Sequence, residues 1–234
     1  MTYTYEYARP SVTVDCVVFG INFETNKLEL LMIKRGNEPY KGFLALPGGF
    51  VNMNENLEDA AKRELEEETG VKLSYLEQLY TFGDVNRDPR GRVIAVAYYG
   101  LVKSNEHNAI GGDDADEAFW IPINNALNNE NMLSFDHKNI ITMALKRLQD
   151  KVRYAPIGFN LIPEIFTLDQ LCRLYECILC RIIDRRNFYK KILAMNILKE
   201  IGKEENVNHR PAKLYKFDVL AYTNAINNGF NFNI

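Results

Sequence analysis

The sequence predicts an α/β sandwich over residues 1–152 and a small helix–helix–hairpin domain over residues 153–234. Three observations predict it. Strand-like and helix-like apolar patterns are interleaved before about residue 150. A proline- and glycine-bearing stretch, Arg153 to Pro163, then interrupts the pattern. Charge also divides there: residues 1–150 hold 15 Lys and Arg against 23 Asp and Glu, and residues 151–234 hold 13 against 8.

Each element follows from local pattern. Val12 to Gly20 reads as a buried strand, and Lys27 to Lys34 as its hairpin partner across Glu24-Thr25-Asn26. Gly42 to Gly49 reads as a strand running into a glycine turn. Asn54 or Asn56 can cap a helix that runs to Thr69 and stops at Gly70. Leu73 to Phe82 and Val93 to Val102 read as strands, separated by the arginine-rich loop Asp84 to Arg92. Ala118 to Ile123 predicts a short strand, and Ser134 to Leu148 a helix. Beyond the break, Thr167-Leu168-Asp169-Gln170 spells a capping box that opens a helix to Leu179. Asp184 caps a second helix, Arg185 to Lys199. His209 to Val219 reads as a short basic hairpin. The Asn-rich tail, Asn224 to Ile234, reads as loosely ordered.

Composition narrows the function classes. Hydrophobic residues make up 47% and charged residues 25% of the 234, which suits globular cores. No apolar run approaches the ~20 residues of a membrane span, and MTYTYEYARP lacks a signal-peptide pattern. A cytoplasmic protein with no membrane partner is expected. Cys16, Cys172, Cys177 and Cys180 read as reduced core cysteines, because no second ligand pair accompanies Cys177-x-x-Cys180. The acidic first part suits cations; the basic second part suits phosphate backbones.

The chemistry concentrates in GGFVNMNENLEDAAKRELEEETGV, residues 48–71. At ~100° per residue, Leu57, Ala60, Ala61 and Leu65 share one helical arc. Lys62, Glu66, Glu58 and Asp59 point away from it. Glu64, Glu67 and Glu68 fall inside or beside the apolar arc, so three carboxylates face the fold. Like charges at this spacing repel by ~0.2–0.5 kcal/mol per pair even on exposed helices, and desolvation adds several kcal/mol per unpaired ion. A divalent cation would offset both, and an all-oxygen donor set selects Mg²⁺, Mn²⁺ or Ca²⁺ over softer metals. The alternative is an acidic surface helix bridged to Lys62 and Arg63. Gly48-Gly49, following a strand, adds backbone N–H groups that phosphate oxygens can approach. Together the turn and the helix predict a diphosphate–metal site.

This segment resembles the signature of the Nudix hydrolases. The residues that carry the resemblance are Gly49, Glu55, Arg63, Glu64, Leu65, Glu67, Glu68, Gly70 and Val71, with no departure at a fixed position. The resemblance implies a mixed-sheet α/β/α sandwich and hydrolysis of a nucleoside diphosphate linked to another moiety. It implies that Glu64, Glu67 and Glu68 hold Mg²⁺ or Mn²⁺ and that Arg63 orients the carboxylates. Glu55 would support the metal site or Arg63, and either Glu64 or Glu67 would activate water. The loop Asp84 to Arg92, with Pro89, resembles one found in ADP-ribose-type Nudix proteins and their regulator relatives. It implies a nucleotide-sugar ligand, for which Gly48, Gly49, Arg35, Arg87 and Arg90 are candidate contacts.

In the helix from Arg185, Phe188, Ile192 and Met195 share a core face. Arg185, Arg186, Asn187, Tyr189 and Lys190 lie off it, where Arg can read guanine and Asn adenine in a major groove. Arg210, Lys213 and Lys216 on the hairpin are candidate phosphate contacts. Helix, helix and hairpin is the order of a winged helix-turn-helix. The run TLDQL…LYE…DRRNFYKKI…RPAKLYKF resembles the C-terminal domain of Nudix-related transcriptional regulators. The expected function is Mg²⁺-dependent hydrolysis of an ADP-ribose-like diphosphate coupled to DNA binding; the alternative is a transcriptional regulator whose first domain senses an ADP-ribose-like or sugar metabolite. Duplex DNA is the expected second partner, bound by a homodimer.

Overall fold

The computed structural model describes residues 6–112, 115–208, 210–228 and 232. They form two compact units. One holds the described residues up to Leu145 except Ile21–Leu28; the other holds Ile21–Leu28 and the chain from Lys146.

The first unit strings together β1 (Ser11–Asn22), β2 (Lys27–Arg35), β3 (Leu44–Ala45), β4 (Gly48–Phe50), α1 (Leu57–Thr69), β5 (Glu77–Phe82), β6 (Val93–Lys103), β7 (Ala115–Pro122), α2 (Ile123–Asn128) and the start of α3 (His137–Tyr154). The sheet runs β3-β2-β1-β6-β5, with β4 added to β1 and β7 to β2. β2 is antiparallel to β3 and β7, β5 to β6, and β4 to β1.

β1 explains how the site is placed. Its side chains alternate between faces. Val14, Cys16 and Val18 pack with Leu31, Ala60, Ala61, Leu65, Val96 and Tyr98 in one core cluster. That cluster seats the apolar arc of α1 on the sheet. Thr13 and Asp15 therefore face the other way. α1 begins at Leu57 as expected, but the Asn56 side chain makes no cap and bonds Asp59 instead. It ends at Gly70, whose left-handed φ of 69° lets its N–H reach the Glu66 carbonyl.

Several boundaries differ from the expected ones. Gly42 to Gly49 is two strands, because Pro47 has no N–H for a ladder. The Pro47 carbonyl still accepts from Cys16 N–H at 2.8 Å. The fifth strand starts at Glu77, since Leu73 and Leu76 turn into the core instead of pairing. The seventh is longer than expected, Ala115–Pro122. The helix expected from Ser134 starts at His137 and runs on to Tyr154, after a turn in which Phe135 has a φ of 51°.

The second unit adds β8 (Ile165–Thr167), α4 (Leu168–Leu179), α5 (Arg185–Ala194), β9 (Leu198–Lys203), β10 (Lys213–Phe217) and α6 (Val219–Asn227). Both halves of the capping box form: Gln170 N–H donates to Thr167, and Thr167 N–H to the Gln170 side chain. Asp184 accepts from Asn187 N–H at 2.8 Å, as expected of a cap. α4 and α5 pack through Tyr175 and Phe188, whose ring centroids lie 5.1 Å apart.

Three expectations here are corrected. α5 stops at Ala194, not Lys199: Asn196 takes a left-handed φ of 54°, and Leu198–Lys203 pairs with β10 as a strand. The hairpin is accordingly β9 and β10 with a long connection, not a local turn within 209–219; His209 lies outside the described residues. Part of the Asn-rich tail is helical. Asp218 caps α6 through Ala221 N–H, and the helix holds Asn224 to Asn227. Asn and Thr have weak helix propensity, so no apolar period announced it. Residues 229–231, 233 and 234 lie outside the described ones. All four cysteines are free, with Cys180 exposed and the other three buried. Among the described residues, no helix is long and apolar enough to cross a membrane.

Candidate active site

The site grows out of the contact between β4 and α1. A Cβ on Gly48 would lie 2.1 Å from the Val14 carbonyl, and one on Gly49 would lie 2.5 Å from the Glu64 carboxyl carbon. Only glycine admits this approach, and it presses the turn against the acidic face of the helix. Gly48 N–H donates to Glu68 Oε2 at 2.8 Å. A backbone N–H of the turn and a carboxylate of the helix are thus already joined.

Arg63 organises the acids. Its Nη1 donates to Glu64 Oε1 at 2.7 Å and to Glu67 Oε2 at 2.9 Å, so those two oxygens converge on one nitrogen. Nε and Nη2 donate to the two oxygens of Glu55 at 3.0 and 2.7 Å, a fork-to-fork pair. Nη2 also reaches the Phe50 carbonyl at 3.2 Å, tying the cluster to β4. Glu55 in turn accepts from Asn52 N–H at 2.7 Å. The Arg63 bonds, helped by Asn52, pull Glu55 down to about 2. Burial raises Glu64 above the usual carboxylate range, against the opposing pull of Arg63.

Across the cleft lies a buried polar cluster. Arg87 donates Nε and Nη2 to Asp136 at 3.0 and 2.7 Å, and Nη2 also reaches Asp15 at 3.3 Å. Only 4% of the Arg87 side chain is exposed. Burial pushes Asp15 up to about 6. His137 accepts from Leu46 N–H through Nδ1 at 2.9 Å, and burial holds it down to about 3. It is therefore neutral near pH 7, with its proton on Nε2.

Aromatic rings edge the cleft. The Arg90 guanidinium lies 5.0 Å from the Phe50 ring centroid and 5.4 Å from that of Phe135. Asp88 holds it there with hydrogen bonds of 2.7 to 3.2 Å. Arg35 stacks on Phe135 from 5.1 Å and donates Nε to the Pro39 carbonyl at 2.9 Å. A cleft of about 310 Å³ joins these parts, which is on the scale of small-molecule sites. Gly48, Gly49, Arg63, Glu64, Glu67, Glu68, Arg35, Arg87 and Arg90 all line it. Glu55 stands behind Arg63. Thr13, Asp15, Phe50, Asp88, Phe135 and His137 line the same cleft and were not anticipated. Asp15 had a signal, a lone acid within an apolar strand. Phe135 and His137 had none, because they read as the first turn of a helix.

The carboxylates suit a hard cation by chemistry, since their donors are all oxygen. Among the described residues, no three His, Cys, Asp or Glu side chains are already drawn together as a metal cluster. Arg63 supplies the compensating positive charge in this arrangement.

In the second unit, Arg186, Asn187 and Lys190 are exposed on α5, while Phe188 and Ile192 are buried and Met195 is half-buried. Arg185 is engaged by Asp169 and lies 3.9 Å from Glu176, which ties α5 to α4. On β10, Lys213 pairs with Glu200 at 2.8 Å and Lys216 pairs with Glu164. Arg210 is exposed in the β9–β10 connection.

Comparison with known proteins agrees with this anatomy. A NUDIX domain profile matches residues 10–143, and an NrtR DNA-binding winged helix domain profile matches residues 158–217. The chain is 33% identical over 219 residues to the ADPR responsive transcriptional repressor NtrR of Acinetobacter baylyi, covering 93% of this chain and 86% of that one. It is 44% identical over 135 residues to the ADP-ribose pyrophosphatase of Methanocaldococcus jannaschii, covering 58% of this chain and 73% of that one. Shewanella oneidensis NrtR complexed with a 27mer DNA superposes with a TM-score of 0.73 at 31% identity, over 95% of this chain and 99% of that one. The NUDIX domain of that protein complexed with ADP ribose superposes with a TM-score of 0.55 at 34% identity, over 61% of this chain and 90% of that one. With the first profile spanning more than half its length and the second following directly, this chain belongs to the Nudix family and carries an NrtR-type winged helix domain.

Proposed function

We propose that residues 1–152 hydrolyse an ADP-ribose-like nucleoside diphosphate with Mg²⁺ or Mn²⁺, and that residues 153–234 bind duplex DNA under the influence of that ligand. The observation that carries the first half is the carboxylate set itself, Glu64 and Glu67 on Arg63 and Glu68 on Gly48 N–H, pressed against a glycine turn in a cleft. Glu64, Glu67 and Glu68 would hold the ion. When bound, the ion would polarise the diphosphate and acidify an attacking water. Arg63 keeps Glu64 and Glu67 aimed at one point, and Glu55 keeps Arg63 in place. The Gly48–Gly49 turn lets phosphate oxygens approach the helix. Either Glu64 or Glu67 would accept the proton of the attacking water. Relatives named for ADP-ribose support the ligand class.

A second reading is a sensor that binds without turnover. It is favoured by the relative named as an ADPR responsive repressor. For the DNA half, Arg186, Asn187 and Lys190 are free of the core face and would read bases, with Lys213, Lys216 and Arg210 on phosphates. Arg185, held by Asp169, positions α5. A 27mer, as in the Shewanella complex, spans more than two helical turns. A homodimer presenting two recognition helices would suit such a length. The reading places the protein in the cytoplasm, where both partners are found.

The test is a panel of nucleoside diphosphate compounds and triphosphates with Mg²⁺, followed by phosphate-monoester products. ADP-ribose or a close nucleotide sugar should give the highest kcat/KM. A preference for a nucleoside triphosphate would refute the substrate class, and no hydrolysis of any compound would leave the sensor reading.

A further inference from the structure

Thr13 is a cleft residue without an assigned role. It lines the cleft, is 6% exposed, and its Oγ1 has no hydrogen-bond partner among the described residues. Buried hydroxyls nearly always have a partner, so an orphan at a cleft wall calls for one from outside. The surroundings indicate its chemistry. Thr13 is the register partner of Phe50 across β1 and β4, so their side chains stand beside each other on one sheet face. Phe50 is 44% exposed and stacks with Arg90, which also faces Phe135. Two rings and a guanidinium, pinned by Asp88, present flat faces to a planar heterocycle. The glycine turn adjoins this pair in register, Gly49 beside Val14 and Gly48 beside Asp15, and leads on to the carboxylates. A step about χ1 moves the hydroxyl without moving the strand.

We propose that Thr13 Oγ1 is a specificity-determining contact that hydrogen-bonds the nucleobase edge of the bound nucleotide, with the base lying against the Phe50–Arg90–Phe135 surface. The proposal rests on the nucleoside diphosphate reading above. It explains why a buried hydroxyl sits unpaired beside Asp15 in β1.

Thr13→Val keeps shape and removes the hydroxyl; Thr13→Ser keeps the hydroxyl. Calorimetric titration of the full chain would use α,β-methylene ADP-ribose, which cannot be cleaved at the diphosphate, then AMP and ribose 5-phosphate. Thr13→Val should bind the analogue and AMP roughly 5- to 30-fold more weakly, the effect of one lost hydrogen bond with a ligand group left unpaired. Thr13→Ser should bind as wild type does, and ribose 5-phosphate should be unaffected. The melting temperature of Thr13→Val should not fall, because no protein bond is removed. Wild-type affinity in Thr13→Val would overturn the proposal. So would a lower melting temperature with affinity kept, the signature of a hydroxyl bound to buried water. A loss confined to ribose 5-phosphate would overturn the base assignment. If the wild type binds neither the analogue nor AMP, the nucleotide reading itself fails and takes this proposal with it.

Discussion

Glu64→Gln should lower turnover by about a hundredfold or more while leaving the fold intact. One key electrostatic group is typically worth that much, and Glu64 is the carboxylate set against the glycine turn. It fills the space that the absent Gly49 Cβ leaves and accepts from Arg63 at 2.7 Å. The amide has the same shape but no charge, and it cannot take a proton from water. Stability should change by less than about 1 kcal/mol. The variant loses an ion pair to Arg63, but it also loses a half-buried charge and its repulsion with Glu55 and Glu67. Glu67→Gln should slow turnover on the same scale. Steady-state kinetics beside a denaturant titration separates the two effects. Unchanged turnover, with activity still Mg²⁺-dependent, would remove Glu64 from the site.

Arg87→Met should destabilise the first unit by about 3–5 kcal/mol, the range for breaking a buried ion pair by removing one partner. The guanidinium lies between Asp136 and Asp15, and all three side chains are almost wholly buried. Without it two carboxylates remain close together in a dry site. Marginal stabilities of 5–15 kcal/mol make such a loss large. Arg87→Lys should fall between, because an ammonium cannot reproduce the two-pronged contact with Asp136. Arg87 was a candidate for holding phosphate or ribose, and this experiment separates the roles. A loss below about 1 kcal/mol, together with weaker nucleotide binding, would show that the guanidinium serves the ligand instead of the fold.

The first unit was more legible than the second, and the reason is period. VTVDCVVFG is so apolar that only a buried strand accommodates it, and Gly70 marks the end of α1 by the left-handed backbone it takes. The glutamate face was legible because three acids fell on an apolar arc. What stayed hidden depended on long-range pairing. Leu198–Lys203 carries polar residues that continue a helix as readily as a strand, and pairing with β10 decides it. Asp136 and His137 look like a helix entry; their roles appear only when Arg87 and Leu46 N–H arrive from elsewhere in the chain. Thr13 was hidden by its commonness in strands. Lys213 and Lys216 were legible as basic residues, but not their pairing with Glu200 and Glu164.

The proposed function requires that ligand binding in the cleft change DNA affinity. His137 at the start of α3 lines the cleft, and Lys146–Tyr154 at its end belongs to the second unit. There Gln149 donates to the Ile178 carbonyl of α4 at 3.2 Å. The most direct measurement is the dissociation constant for a duplex selected from a random pool, taken with and without saturating α,β-methylene ADP-ribose at fixed salt. The predicted result is an enriched motif whose affinity shifts about 5- to 150-fold with ligand, as coupling of ~1–3 kcal/mol requires. DNA affinity that stays constant while the analogue demonstrably binds, or a pool that yields no motif, would contradict it.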